Sequence, residues 1–379
     1  MKTTFFFVLW EAPLVCVISA GKSLTSGLEL ALDYAAGRPC HILVRPSWSL
    51  CGIGEGLAAA DRWLREVHPE AKLVSLAATA ADAEHVRRLG VEAIHAHNSA
   101  FISERIFFPE PDTPKAFDAV HNAQTKPFKR HELAYGVPNL ALVTYAEPRA
   151  TESVADLVAR YRNLGFANWS ASHGFRSLDG GEIRHVICQA RCGLVLSEVE
   201  GPNNASMEYF LCGAPLVSTP SLGGREAMYD PRHVAIVDPT PEAVEAAVEA
   251  FAARAPDPAE IRASALAKAR PHRGRLIAWL SGVVGEDLLA QADENLWLPQ
   301  FHDKLRQAWR VDVLPDGRLD AHRIESWGAW PSMPPEPQDQ PRPVRAPWIA
   351  AARASWTAAR KWRSALSRAT RPAAGRSGA

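Results

Sequence analysis

The strongest constraint on this chain is a rhythm that runs through it twice. Short apolar runs alternate with helix-length segments, and a proline cluster separates one series from the next. The first series offers strands at Phe5–Leu9, His41–Val44, Lys72–Leu76 and Ala93–Ala96, with helices at Leu24–Ala36 and Gly56–Val67. Pro109-Glu110-Pro111-Asp112-Thr113-Pro114 can continue neither a helix nor a central strand, so a domain boundary falls there. The second series reads as strands at Phe117–Asn122, Leu140–Thr144, Phe166–Trp169, Gly193–Leu196, Pro215–Ser218 and Val234–Val237. Helices are expected between and after them, at about Arg130–Tyr135, Ser153–Leu164, Gly181–Arg191, Ala205–Cys212 and Pro241–Arg254. Parallel neighbours need crossovers, which are usually helices. The pattern therefore predicts two α/β units, each a parallel sheet covered on both faces.

Beyond Pro258 the pattern turns helical. Pro331–Pro347 holds seven prolines in 17 residues, which makes a stiff extended linker. Trp348–Ala369 reads as a basic helix. The expected division is 1–112, 113–257, a helical extension over 258–330, and a linker with tail over 331–379.

Charge follows this division. The chain carries 42 Lys+Arg and 42 Asp+Glu, yet Pro341–Ala379 contains nine of the cations and no acid. An acidic body therefore bears a basic tail, and such asymmetry suggests an interaction segment. Trp348, Ala352, Trp356, Ala359, Trp362 and Leu366 recur at three- or four-residue intervals, with Arg353, Arg360, Lys361 and Arg368 largely opposite. A helix of this kind can lie on an anionic membrane surface, bind a partner or stay disordered. The acidic body argues against nucleic acid as a partner.

Six cysteines without a C-x-x-C pair fit reduced thiols in a cytoplasmic protein, peripheral at the inner membrane face if the tail binds lipid. Lys2 and the run from Phe5 to Trp10 imitate a secretion signal, but Glu11 and Pro13 interrupt it, and a buried first strand fits better. Gly21-Lys22-Ser23 lacks the glycine that a P-loop needs five residues earlier, where Cys16 stands.

The most informative stretch is Ser197-Glu198-Val199-Glu200-Gly201-Pro202-Asn203-Asn204-Ala205-Ser206-Met207-Glu208. A strand ends, a Gly/Pro/Asn loop follows, and a helix begins. That arrangement aims backbone N–H groups and a helix dipole at the carboxyl edge of a sheet, a natural seat for phosphate. Glu200 and Glu208 stand at E-x7-E spacing, one in the loop and one early in the helix.

Here the chain resembles the retaining glycosyltransferases of family 4, which have a GT-B architecture of two facing Rossmann-like domains. The likeness extends over about Lys115–Ala253. It includes Glu208-Tyr209-Phe210-Leu211-Cys212-Gly213-Ala214-Pro215-Leu216-Val217-Ser218-Thr219 and the glycine loop Ser221-Leu222-Gly223-Gly224-Arg225-Glu226. The resemblance implies that Glu200 contacts donor-sugar hydroxyls and Glu208 the nucleotide ribose. Family members clamp the donor diphosphate with an Arg and, about five residues later, a Lys. Lys129 matches the Lys; Gln124 stands at the Arg position, a departure that removes one charge, and Arg130 or Lys126 are the candidates to replace it. Gly201, Asn203 and Asn204 would offer donors near the phosphates. His97, in His95-Ala96-His97-Asn98, matches a histidine that the family's first domain sends toward the donor sugar.

No D-x-D occurs in the chain, so the charge of the leaving diphosphate is expected to fall to Lys129, Arg130 and loop N–H groups, with no metal or other cofactor. Catalytic roles are expected for Lys129, Glu200 and His97. The implied activity is transfer of a sugar from a nucleotide-sugar donor to a glycan, lipid or protein acceptor. Gln124 keeps a second reading open: a catalytically weak GT-B-like protein that binds nucleotide sugar or glycan within a surface-polysaccharide assembly. Sugar-nucleotide epimerisation is a third.

Overall fold

The computed structural model describes residues 2–20, 24–46, 50, 53–144, 153–298, 301, 308–313 and 319–324. The proline-rich linker and basic tail lie outside the described residues.

The first unit begins with β1 (Lys2–Glu11) and β2 (Leu14–Ala20), then alternates α1 (Leu24–Ala35), β3 (Cys40–Pro46), α2 (Gly54–Val67), β4 (Ala71–Ala77), α3 (Ala80–Arg88) and β5 (Glu92–His95). β2 to β5 are parallel and lie side by side in chain order. Right-handed crossovers between consecutive neighbours put all three helices on one face. Residues one apart on a strand point to opposite faces, and the core divides accordingly. Leu14, Cys16 and Ile18 pack among α1, α2 and α3, whereas Val15 and Val17 face the other way.

The second unit runs β6 (Phe117–Asn122), β7 (Leu140–Val143), α4 (Val154–Arg160), β8 (Leu164–Ala167), a small hairpin β9 (Trp169–Ser170) and β10 (Gly174–Phe175), α5 (Gly180–Cys188), β11 (Ala190–Val195), α6 (Asn204–Leu211), β12 (Leu216–Ser218), β13 (Val234–Ile236) and α7 (Pro241–Arg254). Its six-stranded sheet is parallel throughout, in the order β13-β12-β11-β6-β7-β8. This is the doubly wound Rossmann order, and its topological switch lies between β6 and β11. α5 and α6 cover one face; α4 and α7 cover the other.

α8 (Pro258–Val284) then returns to the first unit. Ile261, Ala265 and Ala269, in its first half, pack on the second unit. Past Pro271, Leu276, Ile277 and Leu280 join Trp297, Leu298 and Phe301 against Val15, Val17, Leu43 and Val74. The second face of the first sheet is thus covered by a late segment rather than by its own crossovers.

The chain therefore has the expected architecture of two Rossmann-like α/β domains with further helical structure. Two expectations need correction: the first sheet is not parallel throughout, because β1 runs antiparallel to β2, and the region 258–330 is not helical throughout. β14 (Ala308–Val313) and β15 (Leu319–Ile324) form an antiparallel pair that extends the first sheet beyond β1. The alternation Trp309, Val311, Val313 against Arg310, Asp312 has the two-residue period of a strand, not the 3.6-residue period of a helix.

Gly193 shows how closely the sheet is packed beneath the functional loops. A Cβ there would lie 2.1 Å from a ring carbon of Tyr209, which is fully buried on α6. Gly193→Ala is expected to cost about 1–3 kcal/mol by overpacking. Urea unfolding would measure it; unchanged stability would mean that the Tyr209 ring can move aside.

Candidate active site

The switch point places the two halves of the predicted site side by side. After β6 the chain turns through Gln124 to a single 3-10 turn, Pro127–Lys129, and on to Arg130 in the left-handed region at φ 50°. After β11 it runs through Ser197 to Glu200 and into α6. The neighbouring loop after β12 is zipped to it, since Glu200 N–H donates to Leu222 O at 2.9 Å and Leu222 N–H to Glu198 O at 3.0 Å. Gly223 permits this approach: at φ 127°, a Cβ there would meet the Glu200 carbonyl oxygen at 2.1 Å.

Lys129 and Glu200, 71 residues apart, form an ion pair. Both side chains are largely shielded, at 11% and 15% exposure. The second carboxylate oxygen of Glu200 accepts from Ser197 Oγ at 2.5 Å, with the Arg225 guanidinium 3.8 Å away. Arg225 is fully buried and donates to Ser197 O, Thr219 O and Ser218 Oγ, so it binds the ends of β11 and β12 together. Glu200 therefore lies between two cations.

Glu208 sits in the middle of α6, half-buried. Its carboxylate accepts from Asn122 Nδ2 at 3.2 Å, while Asn122 N–H donates to Tyr209 Oη at 2.8 Å. Burial pushes the Glu208 pKa up to about 7, against the opposing effect of the Asn122 hydrogen bond.

The other predicted residues have defined places. Asn203 is the N-cap of α6, its side chain accepting from Ser206 N–H at 2.8 Å. Asn204 is exposed at the first helical position, and Gly201 is buried in the preceding loop. Arg130 is held by Leu196 O and Thr219 Oγ1, both at 2.6 Å, so much of its guanidinium is already engaged within the sheet edge. Gln124 is half-buried at the start of the Lys129 loop, and its carbonyl accepts from Lys126 N–H at 2.8 Å.

The first domain meets this edge with its own strand ends. His97 follows β5 and is 1% exposed. Its Nδ1 accepts from Ser99 N–H at 3.2 Å, so the neutral ring carries its proton on Nε2. That atom makes no hydrogen bond of ordinary geometry, although the Gly224 backbone lies close enough to offset part of its burial. Burial, opposed by Gly224, brings the His97 pKa down to about 4, with His95 adding to the fall. Ser99 Oγ donates to Asn203 O at 2.9 Å, a direct link between the domains at the start of α6.

Ser197, Arg225, Asn122 and Tyr209 were not singled out by sequence reasoning. The first two belong to the E-x7-E stretch and the glycine loop, but only the fold brings them to Glu200. Thr125, in the Lys129 loop, is also buried with an unpartnered hydroxyl, and no motif pointed to it. Among the described residues, no group of three or more His, Cys, Asp and Glu side chains is arranged to hold a metal ion. No described helix is long and apolar enough to cross a membrane.

No protein-family model matches the chain, and no curated protein does. Solved structures of similar shape include Anabaena HepE in complex with UDP, at 15% identity and TM-score 0.49 over 70% of this chain and 78% of that one. Sucrose-phosphate synthase from Thermosynechococcus elongatus has 16% identity and TM-score 0.46, with the same coverage. TarM has 13% identity and TM-score 0.46 over 64% of this chain and 50% of its own. At this distance the likenesses decide nothing about activity, which rests on the geometry of the Lys129, Glu200 and Glu208 side chains.

Proposed function

We propose that this chain is a glycosyltransferase that moves a sugar from a nucleotide-sugar donor to a glycan, lipid or protein acceptor. The observation that carries this reading is the Lys129–Glu200 ion pair at the switch point of a doubly wound sheet, with Glu208 on α6 bonded to Asn122 at the end of β6. Cleaving the anomeric C–O bond leaves a nucleoside diphosphate with growing negative charge. The Lys129 ammonium and the loop N–H groups before α6 stabilise that charge without a metal. Binding of the diphosphate draws Lys129 away from Glu200, which frees the Glu200 carboxylate for sugar hydroxyls. Glu208 accepts from the ribose hydroxyls, and His97, enclosed beside the Gly224 backbone, supports the glycine loop from the other domain. The acceptor hydroxyl attacks on the face from which the diphosphate leaves, passing its proton to the departing phosphate oxygen, so the anomeric configuration is retained.

Gln124 favours a second reading, a protein that binds nucleotide sugar with little turnover. Incubation with UDP-, GDP- and ADP-sugars, followed by measurement of released nucleoside diphosphate, separates the two. Release with at least one donor supports the transferase; tight binding without release with any donor supports the second reading.

The role of Glu208 has its own test. Glu208→Ala is expected to weaken nucleotide binding by about 10- to 100-fold, because a hydrogen bond to a charged group contributes roughly 1.5–3 kcal/mol. Ribose hydroxyls donate to the ionised carboxylate, and the raised pKa means that this form is lost as pH falls through about 7. Affinity should therefore decline from about pH 8 to about pH 6. Glu208→Gln should flatten that decline, and calorimetric titration at several pH values would show it. A flat wild-type profile would remove Glu208 from the ribose.

A further inference from the structure

Beneath the Lys129 loop lies a chain of buried polar groups that the proposed mechanism does not use. His131 follows Arg130 and is 4% exposed. Its Nε2 lies 2.8 Å from the Gln124 carbonyl oxygen, and its Nδ1 lies 2.7 Å from Tyr161 Oη. His121, on β6, places its Nδ1 3.4 Å from the same hydroxyl. Tyr161 ends α4 and is itself buried, its ring meeting Tyr135 edge-on.

The chemistry of these groups allows one arrangement. A carbonyl oxygen only accepts, so the proton of the neutral His131 ring is on Nε2. Nδ1 is then bare and accepts from the Tyr161 hydroxyl. That hydroxyl has spent its one proton, so it can only accept from His121 Nδ1–H. The donors run in one direction, from His121 through Tyr161 and His131 to Gln124.

Gln124 O is the hub of the loop, because Lys126 N–H also donates to it, at 2.8 Å. From there, Lys129 N–H returns to Lys126 O at 2.9 Å. The backbone that carries Lys129 is thus referenced to a carbonyl that His131 holds from below.

We infer that His131 and Tyr161 are positioning residues that set the Lys129 loop from the core, fixing where its ammonium meets the anionic diphosphate. The inference rests on the proposed function for the identity of the anion, but not for the role of the two residues.

Two substitutions separate a positioning role from simple packing. A glutamine amide nitrogen reaches the place of the His131 Nε2, whereas an asparagine amide reaches only that of Nδ1. His131→Gln should keep the bond to Gln124 O; His131→Asn should lose it. Amide hydrogen exchange over residues 122–132 reads this without any ligand. His131→Asn is expected to speed exchange there about tenfold relative to the rest of the chain, and His131→Gln by less than about threefold. Tyr161→Phe should give an intermediate increase confined to the same segment. The wild-type His131 should also show the Nε2–H tautomer in its imidazole nitrogen shifts.

Equal exchange in His131→Asn and wild type would overturn the inference. So would an equal increase over the whole chain, or the Nδ1–H tautomer. Titration with UDP, GDP and ADP then tests the anion separately. If wild type binds none of them, the diphosphate reading fails while the exchange result still decides the role of His131.

Discussion

Replacing Lys129 with alanine is expected to cut turnover about 10²- to 10³-fold, the usual loss when one fixed donor to a developing negative charge is removed. The midpoint of thermal unfolding should stay within about 4 °C, the shift that roughly 1 kcal/mol or less produces. The asymmetry follows from what Glu200 keeps. Without Lys129, its carboxylate still accepts from Ser197 Oγ and still lies 3.8 Å from Arg225, so no charge is left alone in the interior. The loop backbone also keeps its own anchors, among them Glu198 N–H to Phe128 O at 3.2 Å. The leaving diphosphate loses its one shielded ammonium, since Gln124 brings no charge and much of Arg130 is engaged with Leu196 O and Thr219 Oγ1, which leaves Lys126 and the loop N–H groups. Assay of turnover beside differential scanning fluorimetry would test this. Loss of activity in proportion to loss of melting temperature would make Lys129 a structural residue.

The largest effect on stability is expected away from the site, at Glu104. Its carboxylate receives both Nη atoms of Arg273 at 2.8 Å, with 8% and 1% exposure for the two side chains. Arg273 Nε also donates to Ala100 O at 2.7 Å, and the guanidinium lies 4.3 Å over the Trp297 ring. Arg262, about three turns earlier on α8, donates to Glu104 O, Phe107 O and Leu211 O. The segment joining the two domains is therefore held by two arginines of the returning helix. Glu104→Ala removes the carboxylate bonded to the buried Arg273 cation, a change that typically costs about 3–5 kcal/mol. Denaturant unfolding should show it. Glu104→Leu combined with Arg273→Met should recover much of the loss, because the pair itself contributes little beyond a well-packed apolar replacement. A cost below about 1 kcal/mol for Glu104→Ala would mean that Arg273 finds water or another partner.

The six-stranded sheet of the second domain was legible because its strands are compact apolar runs bounded by turn residues, and α7 begins at Pro241 and ends at Arg254, as the pattern predicts. The hairpin β9/β10 was not read, the expected helix Arg130–Tyr135 is a 3-10 turn at His131–Ala134, and the helix expected over Ser153–Leu164 ends at Arg160. The pairing of Glu200 with Lys129 was legible only as two motifs with related roles. Their contact depends on β6 and β11 being neighbours, which no local pattern states. Ser197 and Arg225 were invisible for the same reason: a serine at a strand end and an arginine after two glycines look like surface residues until the loops close over them. α8 hid its destination because its apolar residues serve one domain before Pro271 and the other after it, so no single stripe runs along the helix. The strands β14 and β15 escape a helical reading of 258–330 because large apolar residues at irregular spacing over 286–310 outweigh the alternation in Val311–Val313 and Leu319–Ala321.

The central claim is that nucleotide diphosphate binds at the Lys129–Glu200 pair, with its ribose at Glu208. A crystal structure of the full chain soaked with UDP or GDP tests it most directly. The expected result has a diphosphate oxygen within hydrogen-bond reach of Lys129 Nζ, the Lys129–Glu200 pair opened, and the ribose hydroxyls against Glu208. A nucleotide bound elsewhere, or one bound nearby with the Lys129–Glu200 pair still closed, would contradict it.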